Sequence, residues 1–188
     1  RLSNAKRKPS PDKNKDMRGM AIKLFDVEGE KLLSSGKEAV TQDFLLVTAE
    51  TLQTSSVKDF QKSIDALLTG GIKLFFYAIT HLGVIFRSLR QIDKCANLLE
   101  KQYFSMTPSR LGEGQAVKYS AIPKKEPKSN IPKNPSDGYL RERLIANLQE
   151  SDQYFDFMIQ LQKDPQTMPV EDPTVAWDSP FIKVATIK

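Results

Sequence analysis

The chain has 188 residues, of which 39% are hydrophobic and 27% charged, with a formal net charge of +5. That length sustains one large domain with its own core, and the composition is ordinary for a globular chain. A single cysteine, Cys95, excludes an intrachain disulfide, and a single histidine, His81, removes most Cys/His metal spacings and His-based nucleophile triads. No Gly-rich phosphate loop is present either.

Much of the basic excess lies in two segments, Lys6 to Arg18 and Lys124 to Lys133. Both are rich in Pro, Asn and Ser as well as Lys, the composition of solvated loops. A nucleic-acid surface would interleave aromatics with the cations, and neither segment does. Binding of nucleic acid or acidic lipid by these loops is therefore the weakest functional reading. Cys95 is followed by Ala96, Leu98 and Leu99 and reads as a small buried thiol. Nothing resembles a signal peptide, and Arg1-Leu2-Ser3 reads as an interior start, so a cytoplasmic or periplasmic setting stays open.

In chain order, residues 1–5 read as the end of a strand and residues 6–16 as an exposed loop. From Gly19, Met20, Ile22 and Leu24 alternate with Ala21, Lys23 and Phe25, which predicts a strand over 19–27. An acidic turn with Gly29 follows, after which 31–33 pairs back. Thr41 to Val47 is the next strand, and the short connections make the group an antiparallel meander. The middle of the chain, 57–101, reads as a helical insertion. Val57, Phe60, Ile64 and Leu67 form a helical stripe, ended by Gly70-Gly71. Residues 74–89 are apolar nearly all round, which predicts a deeply packed helix. The run from Ile72 to Phe86 is too short for an ordinary membrane span. A shorter helix is expected over 91–101.

Strands return at 103–108 and 115–122 around a Gly-rich turn, and 124–135 is an exposed connection. Ser136 or Asp137 is positioned to cap a helix over 138–150, with Leu140, Leu144 and Leu148 on one stripe. Residues 154–162 alternate with Phe155, Phe157, Ile159 and Leu161 on one face, and 181–188 is a last strand. There are no internal repeats.

The run Arg18-Gly19-Met20-Ala21-Ile22-Lys23-Leu24-Phe25 with its acidic Gly turn resembles the strand-and-turn signature of haem catalases and their smaller catalase-like relatives. Arg1-Leu2-Ser3 resembles the Arg-Phe-Ser that opens a barrel strand in that family. Residues 41–47, 105–120, 137–162 and Glu171-Asp172-Pro173-Thr174-Val175-Ala176-Trp177 are similar to further family segments, in collinear order across the chain. The resemblance implies an α+β fold, an antiparallel catalase-like β-barrel with helical insertions, incomplete at both termini, in one domain over 1–188.

It also implies haem, and a peroxide as oxidant with an unassigned reducing co-substrate. The family's distal His would precede Arg1, and its iron-ligating Tyr would follow Lys188. No catalytic residue is thus identifiable within the chain, and His81 does not take that role. The cofactor-facing positions implied are Arg1, paired with a haem propionate; Gly19, at a close backbone approach; Thr41, near the distal polar position; and Leu46, lining the pocket where larger enzymes carry Phe. No protein metal cluster and no nicotinamide cofactor are expected, and an oligomer is possible. On this reading the chain is an inactive piece of a haem peroxidase or catalase-like oxidoreductase. The alternative is a degenerate catalase-fold binding or structural protein without haem.

Overall fold

The computed structural model describes residues 1–6, 8–31 and 36–188. Its frame is one antiparallel sheet. The strands are β1 (Leu2–Asn4), β2 (Arg18–Phe25), β3 (Thr41–Val47), β4 (Tyr103–Phe104), β5 (Ser109–Arg110), β6 (Ala116–Pro123), β7 (Phe155–Leu161) and β8 (Phe181–Ile187). They are ordered β1-β2-β3-β4-β6-β7-β8, with β5 pairing β6 to one side. Among the described residues β1 and β8 do not pair, so the sheet is open and not a closed barrel. It is nevertheless curled: Leu2 of β1 and Ile187 of β8 pack against the same core cluster. The pairing expected for 31–33 lies largely outside the described residues.

The two-residue period decides which side chains enter that cluster. Registers Leu2↔Met20 and Met20↔Leu46 put these three on one face. Tyr103↔Ala121 and Ala121↔Phe157 continue the face across the sheet. Met20, Leu46, Leu99, Tyr103, Ala121 and Phe155 form the buried cluster. Phe44, Tyr119 and Phe157 extend it as an aromatic triangle with ring centroids 5.0–5.8 Å apart. Behind β6 and β7 the loop over 164–180 covers the other face: Gln160 donates to the carbonyls of Trp177 and Ser179, and the Lys118 ammonium lies 4.9 Å from the centre of the Trp177 ring.

Four helices complete the fold: α1 (Val57–Thr69), α2 (Gly71–Thr80), α3 (Leu82–Gln91) and α4 (Tyr139–Glu150). Ser56 caps α1 by accepting from the Asp59 N–H, and Gly70 ends it with φ +65°, a conformation glycine adopts without strain. The single helix expected over 74–89 is instead two, broken at His81 and bent by 99°. Neither has a buried residue, so the deep packing expected of this stretch is corrected: its apolar side chains face outward. Apolar composition demands cover, and the described residues do not fold back to provide it.

The helix expected over 91–101 shrinks to one 3-10 turn at Leu98–Glu100. Backbone pairing between Asp16 and Asp93 holds the preceding segment extended. Helix α4 begins on Gly138 with no side-chain cap from its own N-terminus, contrary to the expected Ser136 or Asp137. Asp12 substitutes from a distance, its Oδ2 accepting from the Leu140 N–H at 3.0 Å. The loop 6–16 is accordingly not uniformly solvated. Its described lysines point out, while Asp12 and Asp16 are buried against Arg18.

Candidate functional site

Residues of β1 to β3 with odd numbers point away from the core cluster. On that face the register stacks four rows: Ser3–Gly19–Val47, then Arg1–Ala21–Leu45, then Lys23–Asp43, then Phe25–Thr41. Arg1 joins its row through two backbone bonds to Ala21, its ammonium donating to the Ala21 carbonyl at 2.9 Å and the Ala21 N–H donating back at 2.8 Å. Rows two residues apart are separated by roughly 7 Å. Arg1 and Gly19 therefore occupy neighbouring rows, whereas Thr41 stands three rows from Gly19, at about 20 Å.

Leu46 lies on the opposite face. It is 2% exposed in the core cluster, and it also reaches the floor of a 410 Å³ cleft between β3 and β5–β6. The structure thus brings Arg1 and Gly19 together and separates both from Thr41 and Leu46. The neighbour that sequence reasoning missed is Leu45, 74% exposed beside Arg1 and Ala21. Its alternation with Leu46 was visible, but the register against β2 was not, and one step of register exchanges the faces. The result is an open, weakly polar face flanked on one side by the Lys23–Asp43 ion pair at 2.6 Å.

Gly19 is crowded from that same face: a Cβ built on it would stand 2.8 Å from the Ser3 hydroxyl oxygen and 3.8 Å from the Leu46 carbonyl oxygen. Substituting Gly19→Ala should cost about 1 kcal/mol by displacing Ser3. In thermal melts Ser3→Ala in the same chain should restore most of the loss; no restoration would mean that the crowding lies elsewhere.

Whether these residues suit a haem depends on an iron ligand, and all five tyrosines lie outside β1 to β3, the Tyr77 hydroxyl buried without a hydrogen-bond partner. Tyr103 donates to the Leu98 carbonyl at 2.8 Å, and burial pushes its phenol well above the usual range. Tyr139 donates to the Cys95 carbonyl, and burial again raises its phenol. Tyr119 packs in the aromatic triangle, and Tyr154 donates to Asp152 at 3.3 Å. Tyr77 stacks on His81 in the helical arm, ring centroids 4.1 Å apart. The His81 Nδ1 is held by the Thr80 hydroxyl at 2.8 Å and the Tyr77 carbonyl at 3.1 Å. Cys95 is fully buried, and burial pushes its thiol up. Among the described residues no three His, Cys, Asp or Glu side chains gather to hold a metal ion. The face offers a guanidinium for a carboxylate and apolar area for a flat ligand, with no axial donor. These residues do not fit an iron-ligating site on their own.

No family model matches the chain, and no curated protein matches it. Solved structures do. A fungal catalase superposes with TM-score 0.71 at 17% identity, over 98% of this chain and 41% of the catalase. Catalase A from Saccharomyces cerevisiae gives 0.72 at 15% identity, over 98% and 42%. A bacterial catalase gives 0.68 at 18% identity, over 98% and 40%. The chain has the catalase fold, and it spans about two fifths of the length of these catalases.

Proposed function

We propose that the chain supplies the strand wall of a catalase-like, haem-dependent oxidoreductase that decomposes or uses hydrogen peroxide or an organic peroxide. The observation that carries this reading is the catalase fold running through 98% of the chain. Its weight is increased by the juxtaposition of Arg1 and Gly19 on one open face. In this reading the Arg1 guanidinium would pair with a propionate, and Gly19, Ala21 and Leu45 would offer the apolar area for the flat ring. Thr41 would lie about 20 Å along the same face, and Leu46, buried on the opposite face of the sheet, falls outside this reading. A bound haem would supply the redox chemistry toward peroxide. In this reading the iron ligand and the proton-moving histidine would come from outside these 188 residues, since the five tyrosines and His81 all lie outside β1 to β3. Closing β1 against β8 into a barrel belongs to the same proposal, and the shared packing of Leu2 and Ile187 supports it.

One observation favours a second reading, a catalase-fold binding or structural protein without haem. The Ser3 hydroxyl already fills the space over Gly19 that the haem reading leaves to a ligand.

Titration with haemin, followed by the Soret band and by peroxide consumption, tests both. The 188 residues alone should show weak, non-stoichiometric haem uptake and no turnover; tight stoichiometric binding with turnover would overturn the assignment of the iron ligand to another segment. The same titration on the protein with its native flanking coding sequence separates the two readings. A sharp Soret band with peroxide consumption supports the oxidoreductase, and failure of both supports the haem-free protein.

A further inference from the structure

Helices α1 to α3 form an arm between β3 and β4, and its last helix is amphipathic in the inverted sense. In a surface helix the apolar stripe faces the core and the polar face meets water. In α3 two polar side chains turn inward while Arg90 stays exposed: Arg87 Nε donates to the Gln53 carbonyl at 2.7 Å, and Gln91 donates to the Thr51 carbonyl at 2.8 Å. The outward stripe is Leu82, Phe86 and Leu89. In α2 it is Phe75, Phe76 and Ile79. These six side chains are 53–69% exposed, and α2 packs on α1 and on α3, with no strand among the main contacts of either α2 or α3. Exposed apolar area of this extent marks an interaction site.

Charge indicates what it meets. From Ala66 to Ile92 the chain has no Asp or Glu, while Lys73, Arg87 and Arg90 lie within the segment. Lys73 and Arg90 are exposed on the arm, and the Arg90 guanidinium sits 4.2 Å from the centre of the exposed Phe86 ring. The Lys-rich loop adjoins α1: Lys6, Lys8 and the buried Asp16 line a groove with Leu67. Apolar and aromatic side chains rimmed by cations are the composition that inserts shallowly into an anionic bilayer. A second copy docking here would bring these cations together, and the like charges would oppose it. No single helix among the described residues is long and apolar enough to cross a membrane. Only the bent pair α2 and α3 reaches that length and composition together, and a 99° bend suits a surface better than a span.

From the inverted stripe and the acid-free basic rim, we infer that the α2–α3 arm is a peripheral membrane-docking surface, inserting Phe75, Phe76, Leu82 and Phe86 among acidic lipids. This inference is independent of whether the protein uses haem. Flotation of the full chain with phosphatidylcholine vesicles, with and without phosphatidylserine, tests it. Binding should require phosphatidylserine and weaken with added salt. Phe75→Ser and Phe86→Ser should each reduce partitioning on the order of tenfold. Lys73→Glu and Arg90→Glu should each reduce it by about fivefold or more. All four side chains are exposed, so thermal melts should stay close to the parent's. Failure to bind phosphatidylserine vesicles would overturn the inference. So would equal binding by the Phe75→Ser/Phe86→Ser variant, or self-association in light scattering that this variant abolishes.

Discussion

Arg18→Leu is expected to destabilise the protein by about 3–5 kcal/mol, the cost of leaving buried charges without their partner. Arg18 is 1% exposed. Its guanidinium donates to the Asn4 side-chain oxygen, to the Asp12 carbonyl at 3.2 Å and to the Asn14 carbonyl at 3.3 Å, and it lies 3.9 Å from both the Asp12 and Asp16 carboxylates. Those carboxylates reach further. Asp12 Oδ2 accepts from the Leu140 N–H at the start of α4, Asp12 Oδ1 accepts from the Asn4 amide, and the Asp16 backbone pairs with Asp93. One side chain thus gathers β1, the Lys-rich loop, the segment before the 3-10 turn and α4 around β2. Urea unfolding measures the loss. The triple variant Arg18→Leu/Asp12→Asn/Asp16→Asn removes the charges together and should recover a large part of it. If the triple variant is no more stable than Arg18→Leu, lost packing rather than uncompensated charge is responsible.

The strands that frame the candidate site were legible because a two-residue period announces itself. Met20, Ile22 and Leu46 are buried or half-buried where alternation puts them, and Phe155 and Phe157 share the core face as expected. Register was not legible, and it decides what the face presents. The sequence groups Arg1, Gly19, Thr41 and Leu46; pairing Gly19 with Val47 and Phe25 with Thr41 scatters them along and through the sheet. Arg18 is not legible as a buried centre because the Arg-Gly step signals mainly its glycine, and because Asp12 and Asp16 sit among lysines in a loop whose composition signals water. Only a buried guanidinium makes such aspartates internal. The helical arm shows a complementary limit. Periodicity and composition correctly predict helix over most of 57–89, yet an apolar helix reads identically whether its own chain covers it or another surface does.

Glu100 should make the fold acid-sensitive, and Glu100→Ala should cost about 3 kcal/mol at neutral pH, because hydrogen bonds to a charged acceptor are individually strong and four of them would be lost at once. Its carboxylate accepts from the Ser129 hydroxyl at 2.8 Å, the Ser129 N–H at 3.1 Å, the Lys128 N–H at 3.2 Å and the Asn97 amide at 3.1 Å. Burial pushes the carboxyl up, but the bonds from Ser129, Asn97 and Lys128 outweigh it and hold the group below the usual glutamate range. A folded value lower than the unfolded one means that the unfolded chain takes up the proton first. The stabilisation is therefore present above the ordinary glutamate value of about 4.3 and is lost as pH falls through the lowered folded value. Asn97 shares the site, capping the 3-10 turn through the Leu99 N–H and donating to Asn147 of α4, so the 124–135 connection, the turn and α4 loosen together. Urea midpoints for the parent and Glu100→Gln, taken from neutral pH down through 3, should start well apart and converge below about pH 4.3 as the parent loses its charged acceptor. Curves that stay parallel over that range would remove Glu100 as a source of the acid sensitivity and leave its bonds with a packing role only.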